Sequence, residues 1–447
     1  MIRPLLALLV LSAWLLPVRA AEQPNIVFVL ADDMGPGDTG CSGGTLAKTP
    51  HLERLAAQGI TFTQYYSASP ICSPSRCGIL TGQHPARWRI TSFLQSRDGN
   101  RRCEQADFLD PAAPSLPRVL QGAGYATAHI GKWHLGGGRD VAAPPKFAAY
   151  GYDLGLGTYE SPEPAAALGL KTTPWGPDAK REPGQVPRHQ RTRWMVDQAL
   201  AFLTKNRGRP CFINLWLDDT HTPWVPADAV QGDGSRRENL VRVVEEMDRQ
   251  IGRLMDGVPD DTLLIFASDN GPLPTFKRQR TSGLRGSKLS LYEGGIRLPF
   301  LARWPGRIPA GKVDAATVLH ATDLLPTLAA VAGAALPKDS APDGVDRSAA
   351  LRGTPQPDRP VLFWEYGRNA TAFKFPAPPD RSPNLAMRDG PWKLLVNADG
   401  TGAELYHLAH DPNEASNLAA ARPEVAARMK SALLDWRSRL PKPAQNP

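Results

Sequence analysis

The chain has 447 residues and a formal net charge of +8, with 42% hydrophobic and 21% charged residues. This composition excludes a disordered chain and a coiled coil, and the length suits one large α/β domain with a smaller one. Lysine and arginine form no dense run with interleaved aromatic residues, so we expect no nucleic-acid partner.

The first residues have the pattern of an export signal. Arg3 precedes the apolar run 5–16, and Val18 and Ala20 occupy the −3 and −1 positions of a cleavage site. The pattern predicts a signal peptide over residues 1–20. A membrane anchor is the alternative, but the run is shorter than the ~20 residues of a membrane span. We therefore expect a periplasmic or secreted protein with no membrane insertion after signal removal.

Short apolar runs recur along the first 300 residues, typical of strands buried on both faces of a parallel sheet. They lie at 25–30, 126–130, 211–217, 262–267 and 299–304. Helices are predicted between them: one begins at Pro50 and ends before Gly59, another has apolar residues spaced 4, 3, 4, 3 over 240–254, and a third covers 323–331. This alternation predicts an α/β fold with a large, mainly parallel sheet and helices on both faces.

The pattern changes near residue 345. Short strands are predicted at 361–366, 384–388 and 392–396, followed by an amphipathic helix over 425–440. Successive strands followed by one helix predict a small α+β subdomain with an antiparallel sheet. We place the main domain at 21–345 and the C-terminal subdomain at 346–447.

Two acidic pairs follow predicted strands. Asp32 and Asp33 come directly after the first strand, and Asp269 and Asn270 follow a later one. Each pair alone is more typical of a helix cap or a turn. Ligand sites of open α/β sheets lie beyond the carboxyl ends of the strands, so the pairs together favour one metal site. Carboxylate and amide oxygens are ligands for Ca²⁺ or Mg²⁺.

A cysteine-containing segment stands between these pairs. Residues 72–76 read Cys-Ser-Pro-Ser-Arg and precede a short helical pattern. A helix N-terminus and the guanidinium of Arg76 are donors for an oxyanion. On residue types alone, a disulfide or a buried thiol at Cys72 is the simpler interpretation. The five cysteines include no Cys-x-x-Cys pair, so a structural zinc site is not expected.

The segment Cys72–Arg76, followed by Leu80-Thr81-Gly82, resembles the signature of the type I sulfatases. Further matching blocks lie at 25–35, 49–59, 131–136, 221–223, 268–271, 284–299, 323–327, 343–346 and 388–393. The resemblance implies an alkaline phosphatase-like α/β/α sandwich and a sulfuric ester hydrolase. It also implies that a formylglycine-generating enzyme converts Cys72 to formylglycine, an aldehyde, and that one Ca²⁺ is bound per chain.

The resemblance also implies roles for individual residues. The metal set is Asp32, Asp33, Asp269 and Asn270, with the modified Cys72. The catalytic set is Cys72, Arg76, Lys132, His134, His221 and Lys288. One hydroxyl of the hydrated aldehyde attacks sulfur, and loss of the proton from the other expels sulfate. Arg76 and Lys132 hold oxygens and His134 is the base. His221 and Lys288 face the leaving alcohol, and one of them protonates it.

Some positions depart from the family pattern, namely Pro36, His51 and Cys77, where an aromatic residue, Asn and Ala are common. None is a proposed ligand or catalytic residue. If Cys72 is modified, four thiols remain and allow at most two disulfides in three connectivities. We favour a Cys77–Cys103 bridge and expect a buried thiol at Cys211.

Loop composition suggests a sulfated carbohydrate as the substrate. The candidate contacts are Arg101, in the polar segment 89–110, and Asp219 and Trp224, which flank His221. The alternative is that these are ordinary loop residues. Two other functions remain open: a phosphatase or phosphonate monoester hydrolase of the same superfamily, and a catalytically silent glycan-binding relative.

Overall fold

Two β-sheets and the helices packed on them make up the described chain. The computed structural model describes residues 23–442 except 165–184, 229, 231, 233 and 373–379, so the predicted signal peptide lies outside the described residues. In the part of the chain that the structure covers, no helix has the length and apolar character needed to cross a membrane.

The large sheet has nine strands in the order β4-β3-β5-β1-β6-β7-β2-β8, with β9 also pairing with β2. Their bounds are β1 Asn25–Ala31, β2 Ile60–Tyr66, β3 Ala126–Gly131, β4 Leu154–Gly157, β5 Cys211–Trp216, β6 Thr262–Ser268, β7 Arg297–Arg303, β8 Lys312–Asp314 and β9 Leu319–His320. The sheet is mainly parallel, as predicted, but β7 runs antiparallel to both β6 and β2.

Helices cover both faces of this sheet, as the sequence predicts. The helices of the described chain are α1 Pro50–Ala57, α2 Cys72–Thr81, α3 Arg97–Arg102, α4 Leu116–Gly122, α5 Arg191–Lys205, α6 Arg237–Gly257, α7 Glu293–Ile296, α8 Leu324–Ala332, α9 Ser348–Leu351 and α10 Pro423–Ser438. Alternate residues of β1 point to opposite faces. Phe28 packs in the core with α4 and α8, whereas Val29 packs in the core with α1, α5 and α6.

The small sheet is antiparallel, in the order β10-β11-β12-β13. Its strands are β10 Leu362–Glu365, β11 Leu385–Asp389, β12 Trp392–Val396 and β13 Glu404–His407. Met387 and Leu394 pack with Leu433 of α10, while Trp364 and Leu395 belong to a core shared with residues of the main domain. The antiparallel sheet and the terminal helix are as predicted; the domain boundary at 345 stays a prediction.

The predicted Cys77–Cys103 disulfide is wrong, because the structure does not join these two cysteines. Cys77 lies inside α2 and packs in the core, and Cys103 follows α3, where its Sγ accepts a hydrogen bond from Gln95 Nε2 at 3.5 Å. The Cys77 side chain is therefore held by core packing, and the Cys103 side chain by its hydrogen bond with Gln95. The buried thiol predicted at Cys211 is confirmed.

Candidate active site

Four adjacent parallel strands end at one edge of the large sheet and bring the polar residues together. The order β3-β5-β1-β6 places Lys132 after β3, Asp32 and Asp33 after β1, and Asp269 and Asn270 after β6. Backbone hydrogen bonds continue beyond the strand ends, from Asp269 N to Ala31 O at 3.1 Å among others. The convergence predicted for the two acidic pairs is therefore present.

Cys72 is the first residue of α2 and faces this edge. Its side chain is buried, with Sγ 3.6 Å from Asp32 Oδ1 and 3.5 Å from Lys132 Nζ. Burial raises the pKa of the Cys72 thiol to about 12, although the charge of Lys132 opposes the shift. An unmodified thiol in this place is neutral near pH 7 and a poor nucleophile.

Arg76, one turn along α2, ties the nucleophile segment to the acidic residues. Its Nε and Nη2 donate to Asp269 Oδ2 at 3.0 and 2.7 Å, and Nη1 donates to Lys132 O at 2.9 Å. The guanidinium is fully buried and also lies 5.3 Å from the centre of the Trp216 ring. Because two donors meet one buried carboxylate oxygen and a third binds a backbone carbonyl, these contacts fix the segment Cys72–Arg76 against the sheet.

Two lysines lie against the aspartates of β1. Lys132 Nζ is 2.5 Å from Asp32 Oδ2, and Lys288 Nζ is 2.7 Å from Asp33 Oδ2. Burial alone would raise the pKa of both aspartates, but these ammonium charges lower it. The same attraction raises the pKa of both lysines against the opposing effect of burial. Both pairs are therefore ionised in the neutral range.

The oxygen donors at the edge fit a hard cation. Asn270 Nδ2 donates to Asp33 Oδ1 at 2.7 Å, whereas Asn270 Oδ1 is buried and has no hydrogen-bond partner among the described residues. Ligand atoms of Asp32, Asp33 and Cys72 all lie within 4.8 Å of one another. A buried acceptor beside ionised carboxylates is a donor set that Ca²⁺ or Mg²⁺ satisfies.

The two histidines predicted as catalytic differ in their surroundings. His134 is buried, has a left-handed backbone φ of 54°, and makes a hydrogen bond of 3.1 Å between Nε2 and Leu94 O. Its Nδ1 has no hydrogen-bond partner among the described residues. Burial and the charge of Lys132 hold the pKa of His134 well below its usual value. With Nε2 donating to Leu94 O, Nδ1 is left as a proton acceptor.

His221 lies near the carboxylate oxygen of Asp33 that also contacts Lys288. Its Nε2 is 3.7 Å from Asp33 Oδ2, and its Nδ1 is 2.6 Å from Thr222 O. Burial, together with the charge of Lys288, lowers the pKa of His221 to about 4. All six residues of the predicted catalytic set thus lie around one edge, on loops or in the first half of α2, and contacts with Asp32, Asp33 or Asp269 connect five of them.

Three residues that sequence reasoning missed also shape the site. Thr220 Oγ1 donates to the carbonyl oxygens of Asp32 and Asp33 at 3.1 Å each. Arg280 Nη2 donates to Asp33 O at 2.8 Å, and Ser75 Oγ donates to Asp269 O. Ser75 stands inside the segment Cys72–Arg76 and Thr220 directly precedes the block 221–223, but Arg280 has no local signal, because its partner lies 247 positions away.

The three predicted substrate residues do not form one surface. Arg101 is exposed and forms an ion pair with Asp98 on α3, and Asp219 forms a buried ion pair of 2.7 Å with Arg188. Trp224 has 0% exposure, and its Nε1 donates to Thr220 O at 2.8 Å. The predicted substrate contact at Trp224 is therefore corrected to a packing role, because the core covers the indole ring.

Two family models match the chain. The model described as Sulfatase matches residues 24–334, and the model described as N-sulphoglucosamine sulphohydrolase, C-terminal, matches residues 287–439. Together they extend over both sheets.

Curated proteins and solved structures that resemble the chain agree with the match to the Sulfatase model. An N-acetylgalactosamine-6-O-sulfatase of Bacteroides thetaiotaomicron is 30% identical, with 94% of each chain covered. Human arylsulfatase A is 32% identical over 95% of this chain and 89% of its own. A structure from work on the metabolism of multiple glycosaminoglycans by Bacteroides thetaiotaomicron is 25% identical, with a TM-score of 0.74 over 94% of this chain and 100% of that one.

A crystal structure of a complex with a neocarrahexaose is 24% identical, with a TM-score of 0.76 over 95% of this chain and 94% of that one, and supports the fold alone. The alkaline phosphatase-like architecture expected from the resemblance is confirmed. With a family model matching residues 24–334 and full-length relatives at 30% identity and above, the chain belongs to the sulfatase family and is a sulfatase enzyme.

Proposed function

We propose that the protein hydrolyses sulfate esters of a carbohydrate, with the nucleophile at position 72 formed by conversion of Cys72 to formylglycine. The observation that carries this proposal is the position of Cys72. It is the first residue of α2, and its Sγ is 3.5 Å from Lys132 Nζ. In the unmodified chain Sγ stands where the hydrated aldehyde would carry its oxygens. The raised thiol pKa favours the modified residue over the thiol as the nucleophile.

The proposed cofactor is one Ca²⁺ held by Asp32, Asp33, Asp269 and Asn270, with an oxygen of the modified Cys72. The buried and unpartnered Asn270 Oδ1 supports this ligand set. When bound, the cation polarises sulfate oxygens and lowers the pKa of the attacking hydroxyl. Lys132 and Lys288, already ionised beside Asp32 and Asp33, supply further positive charge for the sulfate oxygens.

The remaining side chains move protons and hold the reacting groups. One hydroxyl of the hydrated aldehyde releases its proton to water as it attacks sulfur, and the bond from sulfur to the alcohol oxygen breaks. The alcohol takes a proton from Lys288, which is ionised beside Asp33; His221, whose pKa is about 4, would first have to bind a proton before it could act as the donor. His134 then accepts the proton of the second hydroxyl through Nδ1, the carbon–oxygen bond to sulfate breaks, and the aldehyde forms again. Arg76 holds the segment that carries the nucleophile.

The names of the relatives support a carbohydrate substrate. One relative acts on N-acetylgalactosamine 6-sulfate groups according to its name, and one structural neighbour comes from work on glycosaminoglycan metabolism. We further propose that a formylglycine-generating enzyme acts on the chain during biosynthesis and that the mature protein is periplasmic or secreted.

The test is anion release by the full chain co-expressed with a formylglycine-generating enzyme. Matched aryl sulfate and aryl phosphate esters are incubated first, then N-acetylgalactosamine 6-sulfate, and released sulfate and phosphate are quantified by ion chromatography. Mass spectrometry of the peptide containing residue 72 verifies the aldehyde. We expect sulfate release to exceed phosphate release and to fall at least ~10³-fold in Cys72→Ala.

The matched control is Cys77→Ala, which removes another buried thiol of the same helix. It should retain sulfate release and the aldehyde. Preferential release of phosphate would place the protein among the phosphatases of the superfamily. Release of neither anion from any ester, with the aldehyde verified, would contradict the proposed hydrolysis and favour a glycan-binding role.

A further inference from the structure

A cavity of about 550 Å³ lies between the edge of the large sheet and the small sheet. It forms where the ladder beside β2 is interrupted: β8 pairs with β2 as far as Asp314, and β9 resumes the pairing at Leu319. On its other side β2 bulges between Phe62 and Tyr65 opposite β7. Thr63 and Gln64, displaced from the ladder by the bulge, line the cavity. Bulges often redirect side chains toward functional sites.

The lining of this cavity is positively charged. Arg297, Arg359 and Arg388 contribute to it, and the described lining residues include no Asp or Glu. Arg359 is neutralised, because both of its Nη atoms contact the carboxylate of Asp323. The other two arginines are not neutralised in this way.

Arg388 makes its contacts with neutral acceptors and retains an unused donor. Its Nε donates to Gly390 O at 3.0 Å, and its Nη2 donates to Gln64 Oε1 at 2.7 Å. The residue is only 8% exposed, and Nη1 is buried with no hydrogen-bond partner among the described residues. None of the described carboxylates forms an ion pair with Arg388, so its charge adds to the positive potential of the cavity that it lines.

Arg297 lies in the same lining and has only a distant acid. Its Nε donates to Thr63 O at 2.8 Å, and its Nη1 is 3.7 Å from Glu293 Oε2. That carboxylate is shared with Lys393 Nζ at 2.9 Å and with the Tyr66 hydroxyl at 2.6 Å. Lys393 is also 2.9 Å from Glu414 Oε1, so two carboxylates stand against the three charges of Arg297, Arg388 and Lys393, and the surroundings of the cavity keep a net positive charge.

We propose that this cavity is an oxyanion-binding site, separate from the active site, in which Arg297 and Arg388 bind sulfate, free or as a sulfate group on a saccharide. Its volume lies within the roughly 300–1,000 Å³ of small-molecule sites. None of the predicted catalytic or metal residues lines it. The site goes beyond the proposed function, since it depends on the cavity and its arginines and not on chemistry at Cys72.

The test is ligand binding by the full chain carrying Cys72→Ala, which prevents turnover. Sodium sulfate and N-acetylglucosamine 6-sulfate are titrated separately at low ionic strength by calorimetry. We expect a binding event that Arg297→Gln and Arg388→Gln each weaken at least about tenfold, because each removes a charged donor. The matched control is Arg303→Gln, at the opposite end of β7 and outside the cavity.

The two probes distinguish the sources of the anion. Tighter binding of the sugar than of sulfate supports a saccharide subsite, and equal binding supports a site for the free anion. If Arg297→Gln and Arg388→Gln bind both probes as Arg303→Gln does, the proposal is overturned. Should Arg388→Gln fail to fold, the more exposed Arg297→Gln decides the matter. The two proposals can fail separately. Absence of anion binding in the cavity with desulfation intact contradicts only this proposal, and anion binding without desulfation contradicts only the proposed function.

Discussion

The two sheets use buried charge in different ways. At the edge of the large sheet, lysines and aspartates lie beside atoms that have no partner within the described chain, such as Asn270 Oδ1 and His134 Nδ1. At the small sheet, Lys393 of β12 lies between two buried carboxylates, 2.9 Å from Glu293 Oε1 and 2.9 Å from Glu414 Oε1. The first cluster offers open positions to a ligand, whereas the second joins segments of the chain.

The difference shows that burial and ion pairing alone do not identify a catalytic group. Lys132 and Lys393 are both buried and both paired with buried carboxylates. Only Lys132 also lies at the carboxyl end of parallel strands beside a nucleophile position. Location in the fold therefore separates chemistry from structural support.

Among the changes that test this comparison between the two sheets, the largest effect is expected for Lys132→Met in the aldehyde-containing enzyme. The change removes the ammonium 2.5 Å from Asp32 and 3.5 Å from position 72. Loss of a charged donor to the reacting sulfate should lower kcat/KM about 10²–10³-fold. The control is Lys146→Met, whose exposed ammonium is 3.9 Å from Glu163. Less than a threefold difference between the two variants would remove Lys132 from the catalytic set.

Lys393→Met should instead act on stability. It leaves the buried carboxylates of Glu293 and Glu414 without their shared cation, which costs about 3–5 kcal/mol of the free energy of unfolding. Urea unfolding at pH 7 measures the change. Sulfate release per folded molecule should fall less than in Lys132→Met. The reverse ranking would mean that the small sheet takes part in the chemistry.

Stability in acid tests a titratable group of the large sheet that lies away from the site edge. His129 of β3 is packed against the rings of Trp133, Phe147 and Trp216, and burial lowers its pKa to about 3 from a usual 6.5. The unfolded chain therefore takes up this proton first. The contribution of His129 to stability is complete above pH 6.5 and is lost as the pH falls through about 3.

We expect the free energy of unfolding of the wild type to fall by a few kcal/mol more than that of His129→Phe between pH 6.5 and 3, because phenylalanine binds no proton. Urea unfolding at several pH values in this window measures both slopes. Parallel slopes would show that His129 does not contribute to acid unfolding.

The smallest effect is expected at an exposed ion pair of the small sheet. Arg428 Nη1 on α10 is 2.9 Å from Asp389 Oδ2, and both side chains are partly exposed. Arg428→Ala should change the free energy of unfolding by less than about 1 kcal/mol. A loss as large as that of Lys393→Met would show that burial does not determine the strength of these pairs.

The strands predicted best are those buried on both faces. The central strand β1 was predicted to within one residue, because only a continuous apolar run suits such a position. β2 was missed because Thr63 and Gln64 interrupt its apolar pattern, and they do so where the structure has a bulge. Local pattern does not reveal pairing with β7, which lies more than 200 residues later.

The residues of the site likewise divide into those that a local sequence pattern reveals and those that it does not. Asp32, Asp33, Asp269 and Asn270 could be located from strand ends alone, and Lys132, His134, His221 and Lys288 required the family resemblance. Arg280 could not be found, because its contacts with Asp33 and Asp38 exist only in the folded chain. Trp224 was misread because an aromatic residue beside a site motif has the same sequence pattern whether it faces the core or a ligand.

The central position of β1 has a consequence for synthesis. Its neighbours are β5 and β6, and Ala31 pairs with Ser268. At roughly 5–20 residues per second, the ribosome needs on the order of 10–50 s between these two residues. Throughout that interval the apolar strand Asn25–Ala31 lacks β6, and until residue 216 has been made it lacks β5 as well, although it is among the first strands made. A product truncated before residue 262 retains β1 without β6, so premature termination should yield aggregating fragments.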